Sequence, residues 1–257
     1  MTTINTSSFI CYNWMPMVAD HVLDMPEEFY NSVGVTRLHN QENFIPQDVK
    51  SGDIIFVKTD FVFHGHFQTH YLPRIDKPFV LVTAGSSYHI GSNGDKSYKD
   101  ILRNKNLIKW FCTNPPSEEN DKIVPLPIGF EERERVGGKQ DLILSCYENR
   151  TPFENKKDKI LLPYHTLETN PERASLFSKL KELPFVEVQD KKLSWQNYMN
   201  LVDQYKYVLC LEGSGPDVHR NYECLLVNSV PINIKNTITS LFEYHNLEGI
   251  FLESWND

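Results

Sequence analysis

The segment 207–232, YVLCLEGSGPDVHRNYECLLVNSVPI, is the most informative stretch of the chain, because its chemistry-bearing side chains surround a glycine-rich turn. It reads as strand, glycine-rich turn, helix and strand. Glu212, Gly213, Ser214, Gly215 and Pro216 form the turn, and its glycines permit positive φ and close approach of a ligand. A helix beginning near Asp217 or Val218 presents free N–H groups and a positive dipole end, the setting in which a diphosphate binds. His219 and Arg220 fall in the first turn, where the macrodipole disfavours a cation, so Arg220 requires an anionic partner. A guanidinium forks onto phosphate oxygens, which makes phosphate a fitting one. Glu223, three residues on, shares that side of the helix and could accept hydrogen bonds from two vicinal hydroxyls, as on a ribose. A bland reading fits the same residues: an i, i+3 surface ion pair with Asp217 as an N-cap.

A second group lies earlier. Asp60 follows the apolar run DIIFVK, at the strand end where an α/β sheet exposes functional groups, and is the first candidate for a general base. His64 and His66 come next, with His70 just beyond. Their spacing also allows a zinc site, although the aspartate that an HxHxDH hydrolase places before its last histidine is replaced by Gln68-Thr69.

The elements that must position these groups alternate short apolar runs with amphipathic stretches, the pattern of α/β architecture. Strands are expected over 8–12, 53–58, 79–84, 108–112, 123–128, 159–164, 185–189, 205–211, 230–234 and 249–253. Helices are expected over 17–30 (interrupted at Pro26), 97–104, 171–182, 195–204, 219–228 and 237–244. A polar, glycine-containing stretch, 131–141, separates two series, so two Rossmann-like lobes are expected, 1–140 and 141–257. With 26 Lys+Arg against 34 Asp+Glu the net charge is −8, which argues against a general nucleic-acid grip but leaves room for a local cationic pocket. No apolar run approaches a membrane span, and the start lacks the features of a signal peptide. Five scattered cysteines without a CxxC pair favour free thiols, and a soluble cytosolic protein is expected.

The 207–232 block resembles the nucleotide-sugar signature of exostosin-like glycosyltransferases, a family that includes compact viral and microbial members. The matching residues are Glu212, Gly213, Gly215, Asp217, His219, Arg220, Tyr222, Glu223, Leu225, Val230, Pro231 and Ile232. Leu211 stands where proline is usual, and Asn228-Ser229 replaces Leu-Gly. FVLVTAGS (79–86), IKWFCTNPP (108–116) with IVPLPIGF (123–130), and YHTLETNPERASLF (164–177) are also similar to family segments. The likeness spreads over about residues 53–257. Ser86-Ser87 replaces the aspartate of the family's NSD motif.

The resemblance implies a GT-B architecture of two facing Rossmann-like lobes with mainly parallel sheets. The C-terminal lobe would bind a nucleoside diphosphate sugar, most often a UDP-sugar, and the N-terminal lobe a glycan acceptor. Arg220 would contact the diphosphate and Glu223 the ribose. Gly213, Ser214 and Gly215 would approach the donor, beside Asp217 and His219. Thr166, Thr169 and Arg173 are further phosphate candidates, unless Arg173 only forms ion pairs on an exposed helix. No Asp-x-Asp triplet occurs, so a metal-independent, inverting transfer is expected, with Arg220, His219, the helix N-terminus and Arg133 or Arg135 carrying the leaving-group charge. Two alternatives stay open: a non-catalytic nucleotide-sugar or glycan-binding module, and a metallo-hydrolase built on the histidine cluster. A nicotinamide enzyme is disfavoured because no GxGxxG follows an early strand.

Overall fold

Near-continuous apolar runs such as Phe79–Ala84 and Val230–Ile234 suit strands covered on both faces, and both form parallel strands. The computed structural model describes residues 10–11, 14–32, 44–132 and 135–256. The chain divides into two units, one spanning 10–128 and the other including 129–256. Each is an α/β unit around a five-stranded sheet in which every pairing is parallel, the build of a Rossmann-like lobe. No helix among the described residues is long and apolar enough to cross a membrane. All five cysteines are free thiols.

In the N-terminal unit the elements run β1 (His21–Leu23), α1 (Glu27–Ser32), β2 (Ile54–Lys58), α2 (Thr59–Phe63), α3 (His66–His70), β3 (Phe79–Ala84), α4 (Tyr98–Arg103), β4 (Leu107–Cys112) and β5 (Ile123–Pro125). The strands lie side by side in chain order. When every step goes the same way, right-handed crossovers put all the connecting helices on one face. The packing agrees. Val62 of α2, Phe67 of α3 and Ile101 of α4 share one core with Ile55, Val57, Leu81 and Trp110. The alternate residues Phe56 and Val82 pack instead with Met15.

One expectation fails here. The apolar spacing of 17–30 suggests a helix, but His21–Leu23 is a strand paired with β2. Its entry is fixed by β2 itself: Asp20 N–H donates to the Ile54 carbonyl at 2.9 Å, and Ile54 N–H donates to Asp20 Oδ2 at 2.8 Å. The helices α2 and α3 carry no expected counterpart. The strand expected over 8–12 lies largely outside the described residues.

The C-terminal unit runs α5 (Gln140–Glu148), β6 (Lys157–Leu162), α6 (Glu172–Leu180), β7 (Val186–Val188), α7 (Trp195–Val202), β8 (Tyr205–Leu209), α8 (His219–Leu226), β9 (Val230–Ile234), α9 (Thr237–Tyr244) and β10 (Ile250–Leu252). The helix α5 occupies a stretch to which the sequence assigned no element. Strand order is β10-β9-β8-β6-β7, so the direction of winding reverses between β6 and β8. The faces reflect this. Leu176, Phe177 and Leu180 of α6 pack with Leu162, Leu209, Ile232 and Leu252. Ile238, Leu241 and Phe242 of α9 pack with Leu225 of α8 and with Phe251, the strand neighbour of Leu252 that faces the other way. A doubly wound sheet binds ligands outside the carboxyl ends of its strands, at the point where winding reverses. The segments at that point are 163–171, after β6, and 210–218, after β8.

Candidate functional site

Arg220 lies in the first turn of α8, whose N-cap, Val218, is extended. Its Nε donates to the Tyr198 hydroxyl at 3.1 Å and its Nη2 to the Tyr164 carbonyl at 2.9 Å. Nη1 meets Nε2 of His165. The His165 ring settles which atom donates. Its Nδ1 lies 2.6 Å from the Pro163 carbonyl, which can only accept, so Nδ1 carries the proton and Nε2 offers its lone pair to Arg220. His165 is 3% exposed. Burial first, then the charges of Arg220 and Arg173, pull its pKa down to about 2, so it is neutral.

Arg173, also buried, closes the other side. Its Nε and Nη2 donate to the Glu212 and Leu211 carbonyls at 2.7 and 3.0 Å. Its Nη1 reaches the Thr166 carbonyl at 2.9 Å and the Thr169 hydroxyl at 2.5 Å. Burial, then the charge of Arg220, bring this guanidinium down to about 10. Neither Arg220 nor Arg173 has a carboxylate within ion-pair distance among the described residues. The i, i+3 ion pair of Arg220 with Glu223, the bland reading of these residues, is absent, and Arg173 makes no surface ion pair. Two guanidiniums and a helix N-terminus therefore share one strand-end region, with three of the five Arg220 N–H groups engaged by neutral acceptors.

No protein-family model and no curated protein matches this chain.

Glu223 is 7% exposed, and its Oε1 accepts a 2.8 Å hydrogen bond from the Trp195 indole. Oε2 has no donor among the described residues. The glycines of 131–141 shape this corner. A Cβ on Gly137 would lie 2.7 Å from Glu131 Oε2 and 2.9 Å from Trp195 Nε1, and one on Gly138 would lie 2.1 Å from the Glu132 carbonyl oxygen. Only glycine lets that segment close on itself here. Gly129 adds a further tie, its carbonyl accepting from Nδ1 of His219 at 2.7 Å.

The remaining expected donor contacts divide. Asp217 is buried and held by Asn221 Nδ2 at 3.2 Å and by the Tyr222 hydroxyl, so its carboxylate organises the start of α8. Thr169 is committed as well: its hydroxyl donates to the Thr166 carbonyl at 2.8 Å while accepting from Arg173. What Thr166 gives Arg173 is its carbonyl. Ser214 is exposed. Gly213 and Gly215 are not left-handed. Gly213 matters for proximity instead, since a Cβ there would lie 3.4 Å from Arg173 Nη2. Arg135 pairs with Glu132 at 3.3 Å, and Arg133 lies outside the described residues.

In the N-terminal unit, Asp60 Oδ2 lies 3.0 Å from Nζ of Lys58, which also donates to the Gly85 carbonyl. His64 and His66 are not brought together. Left-handed Gly65, φ 71°, breaks the helix between them. His64 packs edge-on to Phe63 and Tyr88, whereas His66 packs with Phe61, His70 and Tyr71. No group of three His, Cys, Asp or Glu side chains among the described residues is arranged to hold a metal ion. Sequence reasoning missed His165, Tyr164, Tyr198, Trp195 and Lys58. His165 and Tyr164 stand directly after a strand, the one signal that could have found them.

Proposed function

We propose that the protein is a glycosyltransferase of GT-B type that moves a sugar from a nucleoside diphosphate donor, UDP-sugar first among them, to a carbohydrate hydroxyl. The observation that carries this reading is the pair of guanidiniums without an acidic partner at the winding reversal, beside a buried carboxylate with one free oxygen. Anionic oxygens of a diphosphate would complete the unused N–H groups of Arg220 and gain from the α8 dipole. Glu223 Oε2 would accept from a ribose hydroxyl while Trp195 holds Oε1. The likeness of 207–232 to the exostosin-like signature supports the same assignment.

In the transfer, the acceptor oxygen attacks the anomeric carbon, its proton passes to a base, and the diphosphate leaves with the bonding pair. Arg220 and the α8 N-terminus, with His219 beside them, would stabilise the charge that develops on the leaving oxygen. The step inverts the sugar and needs a base for the acceptor proton, for which Asp60, at a strand end of the N-terminal unit, is the candidate.

Calorimetric titration of UDP, and of 2′-deoxy-UDP, into the wild type and Glu223→Gln tests the reading. Wild type is expected to prefer UDP, and Glu223→Gln to lose most of that preference, about tenfold for one hydrogen bond to a charged group. No binding of any nucleoside diphosphate or its sugars would refute it. Donor binding without transfer or hydrolysis would leave a binding module.

A further inference from the structure

Three strand-end segments of the N-terminal unit meet at the carboxyl edge of its sheet. β2 leads into α2, β3 into the loop from Gly85, and that loop rests on the turn after β4 through Ile90 N–H to the Asn114 carbonyl at 3.1 Å. Register puts Lys58 opposite Ala84. Lys58 then fastens two of the segments, pairing with Asp60 on α2 and donating to the Gly85 carbonyl. On this frame the Tyr88 ring lies flat against Phe63, with centroids 4.3 Å apart and planes within 4°. The His64 ring meets both edge-on at 5.3 and 5.5 Å. Tyr88 is 38% exposed although one face is covered. Phe63 and His64 follow Asp60 by three and four residues, so the carboxylate and the aromatic cluster share one side of α2.

We propose that Tyr88, backed by Phe63, is a stacking platform for a pyranose ring of a carbohydrate, placed so that the sugar's polar edge reaches the Asp60 carboxylate. The assignment rests on the glycosyltransferase reading for its choice of ligand class. The chemistry is that of an amphipathic ring. The axial C–H groups on one sugar face carry partial positive charge and sit on the negative face of an aromatic ring. The hydroxyls around the rim are donors that a carboxylate accepts. A planar nucleotide would also stack, but its phosphates would meet the Asp60 carboxylate, and the Lys58 charge is already taken by Asp60.

Saturation-transfer NMR with the full chain tests this, using methyl β-glucopyranoside, β-galactopyranoside, β-xylopyranoside, α-mannopyranoside and, for comparison, uridine and UDP. Transfer is expected to the axial ring protons of one face of at least one pyranoside. It should fall about five- to tenfold in Tyr88→Ala and be retained in Tyr88→Trp, which preserves a face for stacking. UDP signals should be the same in all three proteins. No transfer to any pyranoside in the wild type, undiminished transfer in Tyr88→Ala, loss in Tyr88→Trp as well, or a Tyr88-dependent uridine signal would each overturn the platform. Pyranoside binding without UDP binding would overturn the donor reading and leave the platform standing.

Discussion

Replacing Arg220 by methionine separates a binding role from a structural one. Methionine fills a similar volume without charge or donors. Three acceptors lose a partner, the Tyr198 hydroxyl, His165 Nε2 and the Tyr164 carbonyl, at a net cost of about 0.5–1.5 kcal/mol each. Against that, the half-buried cation no longer has to be desolvated, and its repulsion of Arg173 disappears. The two effects oppose each other, so the melting temperature of the ligand-free protein should fall by no more than about 4 °C and could rise. Binding behaves differently. The two N–H groups left over offer charge-assisted hydrogen bonds worth about 2–3 kcal/mol to a diphosphate, so Arg220→Met should weaken UDP about 30–150-fold. Arg220→Lys keeps the charge but not the planar donor set, and should recover about tenfold at most. Calorimetry for UDP and scanning fluorimetry without it read the two quantities. Unchanged UDP affinity in Arg220→Met, with a melting point lowered by about 8 °C or more, would refute the reasoning and make Arg220 a structural cation.

The neutral state of His165 predicts a pH effect. Its native pKa lies near 2 and its unfolded value near 6.5, so below about pH 6.5 the unfolded chain binds a proton that the native state refuses. Its contribution is complete above that pH and lost as pH falls, at about 1.4 kcal/mol per unit. His165→Gln retains a donor and an acceptor without titrating, so urea unfolding between pH 4 and 7 should show a shallower decline than wild type; identical slopes would contradict the assignment. Gly138→Ala would put a Cβ 2.1 Å from the Glu132 carbonyl oxygen, a clash with backbone that should cost about 2–3 kcal/mol and several degrees in melting temperature. An unaltered melting curve would mean that Gly138 does not pack against Glu132 in this way.

Strands with strong local character could be read directly from the chain. Val230–Ile234 and Thr237–Tyr244 have the bounds that the alternation of apolar runs and amphipathic stretches suggests. The region around His21–Leu23 could not be read, because three residues carry almost no period and their state is decided by hydrogen bonds to β2, about 30 residues away. The same limit applies in the site. Arg220, Glu223 and the turn before them stand within one contiguous segment, so their proximity follows from helix geometry. Arg173 stood as a phosphate candidate with a surface ion pair as the alternative, and neither reading finds its actual partners, because these are mostly backbone carbonyls, two of them 38 and 39 residues away, and backbone acceptors leave no mark in a sequence. His165 gains meaning only from Arg220, 55 residues on. The turn glycines permit positive φ and close approach, and of these Gly213 uses only the second, its missing side chain letting a guanidinium come near.

The way Arg173 is used has a consequence for affinity. One planar side chain stitches the loop after β6 to the loop after β8 through four hydrogen bonds, and Asn170 adds a fifth link to the Gly213 carbonyl at 3.2 Å. Both walls of the region are thereby preorganised before any ligand arrives, and little conformational entropy remains to be surrendered on association. Affinity at such a place is governed by how well the ligand's charge fits the waiting donors, and empty and occupied forms should superpose closely along these two loops.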